Sequence, residues 1–455
     1  MGAVFESHEI RRALGLPPGE MVRRYDSVSI DSRNVEPGAL FVALRGARVD
    51  GLDYLAQAAR RGAIGAIVPA DRELPELDLD WFPVPDTLRA LGDLARFARR
   101  RCGARVIGIT GSSAKTTVKE MLALALSEVA PTWATPGNLN SLTGLPLAIL
   151  GADSDARFWV VEMGSSAPGE IARLTAIAEP DDAVVTTVGA AHLEGFGDVG
   201  GVLREKLSLI RMAHGAGKVV VGELPPSLAT AARQIRDDVV VAGLEPNADY
   251  RPERYQVGAE SMSFERSGTE YRLHVGGEHH LRDALMAGAM AEQLGAEPVA
   301  VARGLSRFRP LGMRGALVRA GNLTIIADCY NANPESFEAA IHYCETAFPG
   351  RPRSAVVASM LELGPDSAKA HRDVARRLLE AGFDRIFALG EFRGAFEQTQ
   401  NGGQRVAPVD SVSDAVDGVA AGASEGEVVL VKASRGERLE RVVEELVERY
   451  GEGTT

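Results

Sequence analysis

The chain has 455 residues, a formal net charge of −12, and 45% hydrophobic and 25% charged residues. The acidic balance excludes a typical binder of nucleic acid or anionic membranes, because such proteins carry a basic surface. The length predicts about three domains. Three cysteines without metal-ligand spacing favour a reducing compartment. We find neither a signal peptide nor a run of about 18 apolar residues, so we expect a cytoplasmic protein without membrane insertion.

The first hundred residues predict a small mixed α/β domain, which we place at residues 1–103. Residues 26–44 predict a strand, a turn at a Pro-Gly dipeptide and a second strand. An amphipathic helix that ends near Gly62 follows, and then a buried strand. A second helix is expected at residues 87–101.

Strands and helices then alternate, and we assign residues 104–309 to a central domain. The apolar segments RVIGIT, FWVVEM and DAVVTTVG predict strands that are each followed by a turn and a helix. This alternation is typical of a doubly wound parallel sheet, whose ligands bind beyond the carboxyl ends of the strands. A more polar stretch at 238–275 predicts an added β-ribbon, and a helix is expected at 280–294.

A third unit, residues 310–455, predicts a smaller Rossmann-like α/β domain. Its apolar strands LTIIADCY, SAVVASM, RIFALG and VVLVKAS are separated by helical segments. The expected fold class is therefore α/β with three domains: a small mixed N-terminal domain, a central doubly wound parallel sheet with a phosphate loop, and the C-terminal domain.

A candidate phosphate loop lies between the strand RVIGIT and a helix. It consists of Gly111, Ser112, Ser113, Ala114, Lys115, Thr116 and Thr117. Such a loop presents backbone N–H groups and a helix N-terminus to phosphates. Lys115 would contact the β- and γ-phosphates, and the Thr116 hydroxyl would bind Mg²⁺. An ordinary βα turn that contains Lys-Thr-Thr is the alternative.

The loop departs from the general phosphate-loop pattern, which needs glycine where this chain has Ile109 and Ala114. The shorter pattern T-G-x-x-G-K-T-T fits except at Ala114. An alanine is tolerable there if its φ is negative and costly if its φ is positive.

Further polar residues follow the next strands of the sheet. Glu162 closes FWVVEM, where a carboxylate can bind Mg²⁺, although a solvated strand-end glutamate is the alternative. His192 follows DAVVTTVG, and a loop histidine on its own is more often structural. Asn138 and Asn140 lie in the loop TPGNLNS, where they either satisfy turn backbone groups or contact a substrate.

These segments together resemble the Mur ligase family over residues 27–445. The resemblance is carried by the phosphate loop with TPGNLNSLTGLPLAIL, VVEMGSSAPGEIARL, VGAAHLEGFG, DCYNANPESFEAA and MLELG. The loop alone is also similar to that of folylpolyglutamate synthetases. YNANP and MLELG resemble the branch that adds D-alanyl-D-alanine to UDP-N-acetylmuramoyl-tripeptide. The resemblance implies an ATP-dependent amide ligase of peptidoglycan precursor synthesis, which activates a carboxylate as an acyl-phosphate for attack by the incoming amine.

The same resemblance implies roles for individual residues. It implies two Mg²⁺ ions, a carbamylated Lys206, and the metal ligands Thr116, Glu162, His192 and Lys206. It implies that Lys115, His192 and Lys206 are catalytic. In the C-terminal domain, nucleotide contacts are expected from Arg314, Asp328, Asn331 and Asn333. In the other two domains, substrate contacts are expected from Ser32, Arg33, Arg48, Asp50, Asn138 and Asn140. Without the resemblance, Lys206 would be interpreted as a solvent-facing helix lysine.

The chain departs from the family pattern at four places. Besides Ala114, the chain has Asn140, Ser141 and Leu142 where two asparagines and an acidic residue are usual. Ala327 and Cys329 stand where aspartate and serine are common. We interpret Cys329 as a small buried substitute, because no base is evident beside it. The open alternatives are another amide ligase of the superfamily, such as a third-residue-adding Mur ligase or a folylpolyglutamate synthetase, and a non-catalytic nucleotide-binding paralogue. We expect a monomer whose catalysis requires domain closure.

Overall fold

The computed structural model describes residues 4–19, 22–46, 49–399 and 403–451. The N-terminal unit is built from these elements in chain order: β1 (Phe5–Glu6), α1 (Ser7–Ala13), β2 (Arg24–Tyr25), β3 (Ser27–Ser29), β4 (Ala39–Val42), α2 (Leu55–Arg61), β5 (Ala63–Pro69), β6 (Asp80–Val84) and α3 (Thr87–Arg101). Strands β3 to β6 form a parallel sheet in sequence order, and β1 pairs with β2 antiparallel. Helix α2 ends at Gly62, whose φ of 112° is left-handed. The strands, the turn and both predicted helices are confirmed.

The central unit follows in the order β7 (Arg105–Thr110), α4 (Lys115–Ser127), β8 (Thr132–Ala134), α5 (Gly144–Leu150), β9 (Phe158–Glu162), α6 (Glu170–Ala178), β10 (Asp182–Val185), α7 (Leu193–Phe196), α8 (Val199–Lys206), α9 (Ser208–Met212), β11 (Val219–Gly222), α10 (Pro226–Arg233), β12 (Val239–Ala242), β13 (Arg254–Val257), β14 (Met262–Arg266), β15 (Thr269–Leu273), α11 (Glu278–Gln293) and α12 (Pro298–Ser306). Its parallel sheet has the strand order β12-β11-β10-β7-β9-β8, which confirms the doubly wound sheet.

One expectation for this unit was wrong in part. The predicted ribbon at 238–275 is a three-stranded antiparallel sheet of β13, β14 and β15 only, whereas β12 is the edge strand of the main sheet. The sequence of β12, VVVA, is wholly apolar and largely buried. Such a run is typical of a parallel strand with both faces covered.

The C-terminal unit contains, in chain order, β16 (Ala316–Ala320), β17 (Leu323–Asp328), α13 (Pro334–Ala347), β18 (Arg353–Val357), α14 (Ser367–Glu380), β19 (Arg385–Ala388), α15 (Glu391–Glu397), β20 (Val406–Pro408), α16 (Val412–Ala421), β21 (Val428–Lys432) and α17 (Glu440–Tyr450). Its strand order is β16-β17-β21-β18-β19-β20. Only the edge pair β16 and β17 is antiparallel, so the predicted α/β unit is confirmed.

Helix α3 joins the N-terminal unit to the central one. Arg99 donates from Nε to the Ala178 carbonyl at 3.0 Å, and Arg100 pairs with Glu179 at 2.6 Å. Apolar residues of α3 also pack in one core with strands of both units. The boundaries at residues 103/104 and 309/310 therefore stay predictions. In the part of the chain that the structure describes, no helix is both long and apolar enough to span a membrane.

The topology of the central sheet brings the loops after three of its strands to one edge. Strand β7 lies between β9 and β10, so the chain winds outward from it in both directions. A crevice forms at the carboxyl ends of strands where the winding changes direction. The loops after β7, β9 and β10 therefore meet at one edge of the sheet, where the C-terminal unit covers them.

Candidate active site

A cavity of about 1100 Å³ separates the central unit from the C-terminal unit. Its central wall is formed by the loops after β7, β9 and β10, and its far wall by the loop after β17. Most of the predicted site residues line it: Ser112, Ser113, Ala114, Lys115, Thr116, Thr117, Asn138, Asn140, Glu162, His192, Arg314, Asp328, Asn331 and Asn333. The structure thus brings together residues that are up to 221 positions apart in the sequence, as from Ser112 to Asn333.

The phosphate loop has a conformation that glycine normally provides. Gly111 has φ of 155°, and a Cβ on it would lie 2.0 Å from Thr186 Oγ1, so no larger residue fits. Ala114 has φ of 66° and ψ of −3°, which is the costly alternative stated for this alanine. A left-handed alanine costs roughly 1–2 kcal/mol relative to the right-handed region.

Lys115 folds back onto its own loop. Its Nζ donates to the Gly111 carbonyl at 2.8 Å and to the Ser112 carbonyl at 3.4 Å. Burial lowers the pKa of Lys115, and the nearby Glu162 carboxylate opposes that shift. The ammonium is therefore held at the N-terminus of α4, within reach of a phosphate chain that binds in the loop.

Glu162 is buried and is the centre of a hydrogen-bonded cluster. It accepts from Thr116 Oγ1 at 2.8 Å and from Asn140 Nδ2 at 2.6 Å. The ammonium of Lys119 lies 3.7 Å from its Oε2. The alternative of a solvated strand-end glutamate is excluded, because only 1% of Glu162 is exposed.

Sequence reasoning missed Lys119, which is fully buried. Its Nζ donates to the carbonyls of Thr135 and Gly137 at 2.7 and 3.0 Å, and so ties α4 to the loop that carries Asn138 and Asn140. A signal was present in the sequence, because Lys119 follows Lys115 by four residues and lies near the same helix face.

His192 lines the cavity, and so does Ser165, the hydrogen-bond partner of Lys206. Lys206 is 1% exposed and donates from Nζ to Ser165 Oγ at 2.8 Å, so it is not a solvent-facing lysine. Burial, followed by the positive charge of Lys115, lowers the pKa of Lys206 to about 7. His192, which has φ of 53°, contacts the Glu362 carboxylate of the C-terminal unit through Nδ1.

The residues of this cavity fit Mg²⁺ only if a bound molecule or water supplies further oxygen ligands. Among the described residues, no group of three or more His, Cys, Asp or Glu side chains is arranged to hold a metal. The Thr116 hydroxyl and the Glu162 carboxylate nevertheless adjoin at 2.8 Å. They are hard oxygen donors of the kind that Mg²⁺ combines with phosphate oxygens and water. The donor set therefore suits a metal that arrives with a nucleotide.

On the C-terminal side of the cavity, two arginines lie near the ring of Tyr330. The Arg314 guanidinium lies 3.8 Å from the centre of the Tyr330 ring, and Arg435 lies 5.0 Å from the same ring. Asp328 accepts from the buried Lys432 at 2.5 Å. Sequence reasoning missed Lys432 and Arg435, because both lie about a hundred residues beyond the motif they support.

Asn333 connects the two units directly. It caps α13 through its Oδ1, which accepts from Ser336 N at 2.8 Å, and its Nδ2 donates to Ser113 Oγ of the phosphate loop at 3.1 Å. Asn331 Oδ1 accepts from Ala332 N at 2.9 Å. Cys329 is buried, and burial raises its pKa to about 12, which agrees with a packing role.

A buried carboxyl group on α11 also faces this cavity and was not predicted. Asp283 lines the cavity and is 5% exposed. Burial raises its pKa well above the ordinary value. Its only sequence signal is a polar side chain within the Ala-rich part of α11.

The residues predicted to receive the UDP end lie elsewhere, in the N-terminal unit. Ser32 Oγ donates to Gln57 Oε1 at 2.8 Å, and Arg33 pairs with Asp31 at 2.9 Å. Asp50 caps a short 3₁₀ turn by accepting from Leu52 N at 3.0 Å. Arg48 lies outside the described residues. Their role in substrate binding stays a prediction.

A phosphate loop, a buried carboxylate and a second α/β unit across one cavity define a nucleotide-binding protein built for transfer chemistry. Three family models match this chain: "Mur ligase family, catalytic domain" at residues 24–99, "Mur ligase middle domain" at 109–291, and "Mur ligase, glutamate ligase domain" at 313–435. The chain therefore belongs to the Mur ligase family.

Individual relatives and solved structures indicate which members of the family this chain resembles. The UDP-N-acetylmuramoyl-tripeptide–D-alanyl-D-alanine ligase of Bacillus subtilis (strain 168) is 33% identical over 432 residues, which cover 92% of this chain and 93% of the relative. The crystal structure of MurF from Acinetobacter baumannii has a TM-score of 0.89 at 28% identity and covers 98% and 99%. MurF ligase from Thermotoga maritima, solved in complex with ADP, has a TM-score of 0.83 at 30% identity and covers 93% and 98%.

Proposed function

We propose that this chain is the ATP-dependent amide ligase that joins D-alanyl-D-alanine to UDP-N-acetylmuramoyl-tripeptide in peptidoglycan precursor synthesis. The observation that carries the proposal is the shared cavity, with the phosphate loop on one wall and Arg314, Tyr330 and Asp328 on the other. The names of the relatives support the two substrates, and the ADP complex of the Thermotoga maritima ligase supports the nucleotide.

Lys115 is the residue that acts on the transferred phosphoryl group. A carboxylate reacts poorly with ATP, because two anions repel each other. The Lys115 ammonium exchanges its contacts with the Gly111 and Ser112 carbonyls for phosphate oxygens, where it stabilises the charge that develops in the transition state. The loop N–H groups and the N-terminus of α4 hold the rest of the phosphate chain.

Two magnesium ions belong to the proposal, and bound Mg²⁺ would neutralise the phosphates and align the reacting oxygens. Thr116 and Glu162 would hold the first ion, and His192 with a carbamylated Lys206 the second. The environment of Lys206 supports carbamylation, because only a neutral amine attacks CO₂ and its pKa is about 7. The product is an anionic oxygen donor in place of a cation.

The acyl-phosphate that forms must be kept from water until the amine attacks it. The C-terminal unit is docked on the phosphate loop through Asn333 and on the loop after β10 through Glu335, which accepts from Ala190 N at 2.7 Å. Such docking would limit the access of water to the acyl-phosphate and so commit the activated carboxyl group to the amine. We further propose that the protein is a cytoplasmic monomer and that its N-terminal unit holds the UDP end.

An assay of ADP release tests the proposal. The purified chain is given UDP-N-acetylmuramoyl-tripeptide, ATP and Mg²⁺, with D-alanyl-D-alanine, with D-alanine or with no amine. We expect kcat/KM for the dipeptide to exceed that for D-alanine by about a hundredfold. The reason is that unpaired buried partners of the missing peptide group and carboxylate cost about 1–3 kcal/mol each.

Three outcomes would contradict the proposal. Equal use of both amines would point to another Mur-type ligase. A preference for L-glutamate with a folate acceptor would indicate a folylpolyglutamate synthetase. No turnover under any condition would favour a non-catalytic nucleotide-binding paralogue.

A further inference from the structure

Two carboxylates of the C-terminal unit reach across the cavity to the loop after β10. Glu335 accepts from the backbone N–H of Ala190. Glu362 instead accepts from the ring of His192 at Nδ1, and its backbone carbonyl accepts from Glu194 N at 3.3 Å. The ring of His192, in the central unit, is thus hydrogen-bonded to a residue of the C-terminal unit.

Two backbone hydrogen bonds hold the loop that carries Glu362. The backbone N–H of Met360 donates to Nε2 of the buried His371 at 2.9 Å. The N–H of Leu361 donates to Ser434 Oγ at 3.0 Å. Glu362 itself has φ of 65°, a left-handed conformation that is uncommon for residues other than glycine. Such conformations persist only where the surroundings hold them, and they are frequent at functional sites.

The contact determines which nitrogen of His192 carries hydrogen. A carboxylate oxygen accepts from the ring, so Nδ1 carries a hydrogen, and in the neutral form of the ring Nε2 then keeps its lone pair. Metal-binding histidines commonly use this arrangement, in which one ring nitrogen donates to a carboxylate while the other binds the metal. The contact with Glu362 thus leaves Nε2 of a neutral His192 ring available to a metal.

We propose that Glu362 is a positioning residue, which the C-terminal unit supplies to fix the tautomer and orientation of His192. The inference deepens the proposed function, on which it rests for the second metal ion. Its consequence is that the imidazole ligand is set only when the two units are docked. Phosphoryl transfer would then be linked to closure of the cavity.

A matched pair of variants tests this inference, namely Glu362→Gln and Glu335→Gln. Both remove one negative charge from the same interface and keep the side-chain shape. At residue 335 the amide oxygen still accepts from Ala190 N. At residue 362 the amide offers both a donor and an acceptor to the ring, so it no longer selects one tautomer.

The first readout requires neither metal nor activity. The protein is labelled with ¹⁵N-histidine, which gives signals from eight residues, and NMR spectra are recorded with ADP bound. His192 is assigned by comparison with His192→Gln. We expect the Nδ1–H tautomer in the wild type and in Glu335→Gln, and a mixture of tautomers in Glu362→Gln. An Nε2–H tautomer in the wild type, or a single Nδ1–H form in Glu362→Gln, would overturn the inference.

The second readout is Mn²⁺ binding followed by electron paramagnetic resonance in the presence of ADP. Loss of a carboxylate behind a metal-bound histidine typically weakens binding about 10–100-fold. We expect that loss in Glu362→Gln and less than about threefold change in Glu335→Gln. Equal affinity in both variants would overturn the inference. If the wild type bound only one Mn²⁺, the two-metal proposal would fail, and the tautomer comparison would still decide the role of Glu362.

Discussion

Carbamylation of Lys206 can be tested directly, because the structure determines how reactive its amine is. Burial holds the pKa of Lys206 near 7, so about three quarters of the amine is neutral at a pH of about 7.5. An ordinary lysine, with a pKa of about 10.4, is only about 0.1% neutral there. Lys206 should therefore present several hundred times more of the nucleophilic form to CO₂ than an exposed lysine does.

The assay is ¹³C NMR of the protein in ¹³C-labelled bicarbonate. The chain has six lysines, so the carbamate region of the spectrum is simple. We expect one carbamate signal that disappears in Lys206→Met and persists in the control Lys369→Met, because Lys369 is exposed. At constant dissolved CO₂, its occupancy should fall as the pH is lowered through about 7, where the amine becomes protonated. Lys206→Met should also be nearly inactive, and short carboxylic acids should partly rescue Lys206→Ala.

Stability gives an independent check on the same pKa. The unfolded chain binds the Lys206 proton between about pH 7 and 10.5, whereas the folded protein does not, so this group makes stability rise with pH in that window. In bicarbonate-free buffer below pH 7, Lys206→Met should be more stable than the wild type by an amount on the order of a few kcal/mol. A wild type without a carbamate signal, or a fully active Lys206→Met enzyme, would refute the reasoning.

Three further substitutions test other parts of the site. Lys115→Ala should lower kcat/KM by a factor of about a hundred or more, since loss of a transition-state stabiliser costs about 3 kcal/mol, with an unchanged circular dichroism spectrum; activity within about fivefold of wild type would contradict the assignment. Ala114→Gly should raise the free energy of unfolding by about 0.5–1 kcal/mol and retain turnover, because it removes a left-handed alanine; destabilisation would show that Ala114 is not strained. Asp283 keeps its proton to higher pH when folded, so it makes stability fall as the pH rises above about 3.9. Asp283→Asn should remove that decline and raise the thermal midpoint at neutral pH, and an unchanged midpoint would show that burial does not raise the pKa of Asp283.

Much of the fold could be predicted, because most helices and strands are indicated by the sequence pattern of their own residues. Apolar runs bounded by turn residues gave the central strands, and the helix at 87–101 was bounded as predicted. The error at β12 arose because a four-residue apolar run looks the same in a ribbon and at a sheet edge. Which partner it pairs with depends on β11, about twenty residues earlier in the chain.

The candidate site, like the fold, could be predicted from the sequence only in part. Lys115, Thr116 and Glu162 follow strands, so their meeting at one edge of the sheet could be expected. Lys432 and Glu362 could not be found by that reasoning, because their partners Asp328 and His192 lie 104 and 170 residues away. The backbone of Ala114 was also open, since an alanine in the sequence does not report its own φ. Burial of Lys206 likewise depends on how α8 packs in the folded chain.

The central claim, ligation through an acyl-phosphate, is tested most directly by following oxygen. UDP-N-acetylmuramoyl-tripeptide labelled with ¹⁸O in its terminal carboxylate is incubated with the chain, ATP, Mg²⁺ and D-alanyl-D-alanine, and all products are analysed by mass spectrometry. We predict a pentapeptide product, one equivalent of ADP, and inorganic phosphate that carries one ¹⁸O atom from the carboxylate. Pentapeptide formed with unlabelled phosphate, or with the label in AMP, would contradict an acyl-phosphate, and ADP release without any pentapeptide would contradict ligation itself.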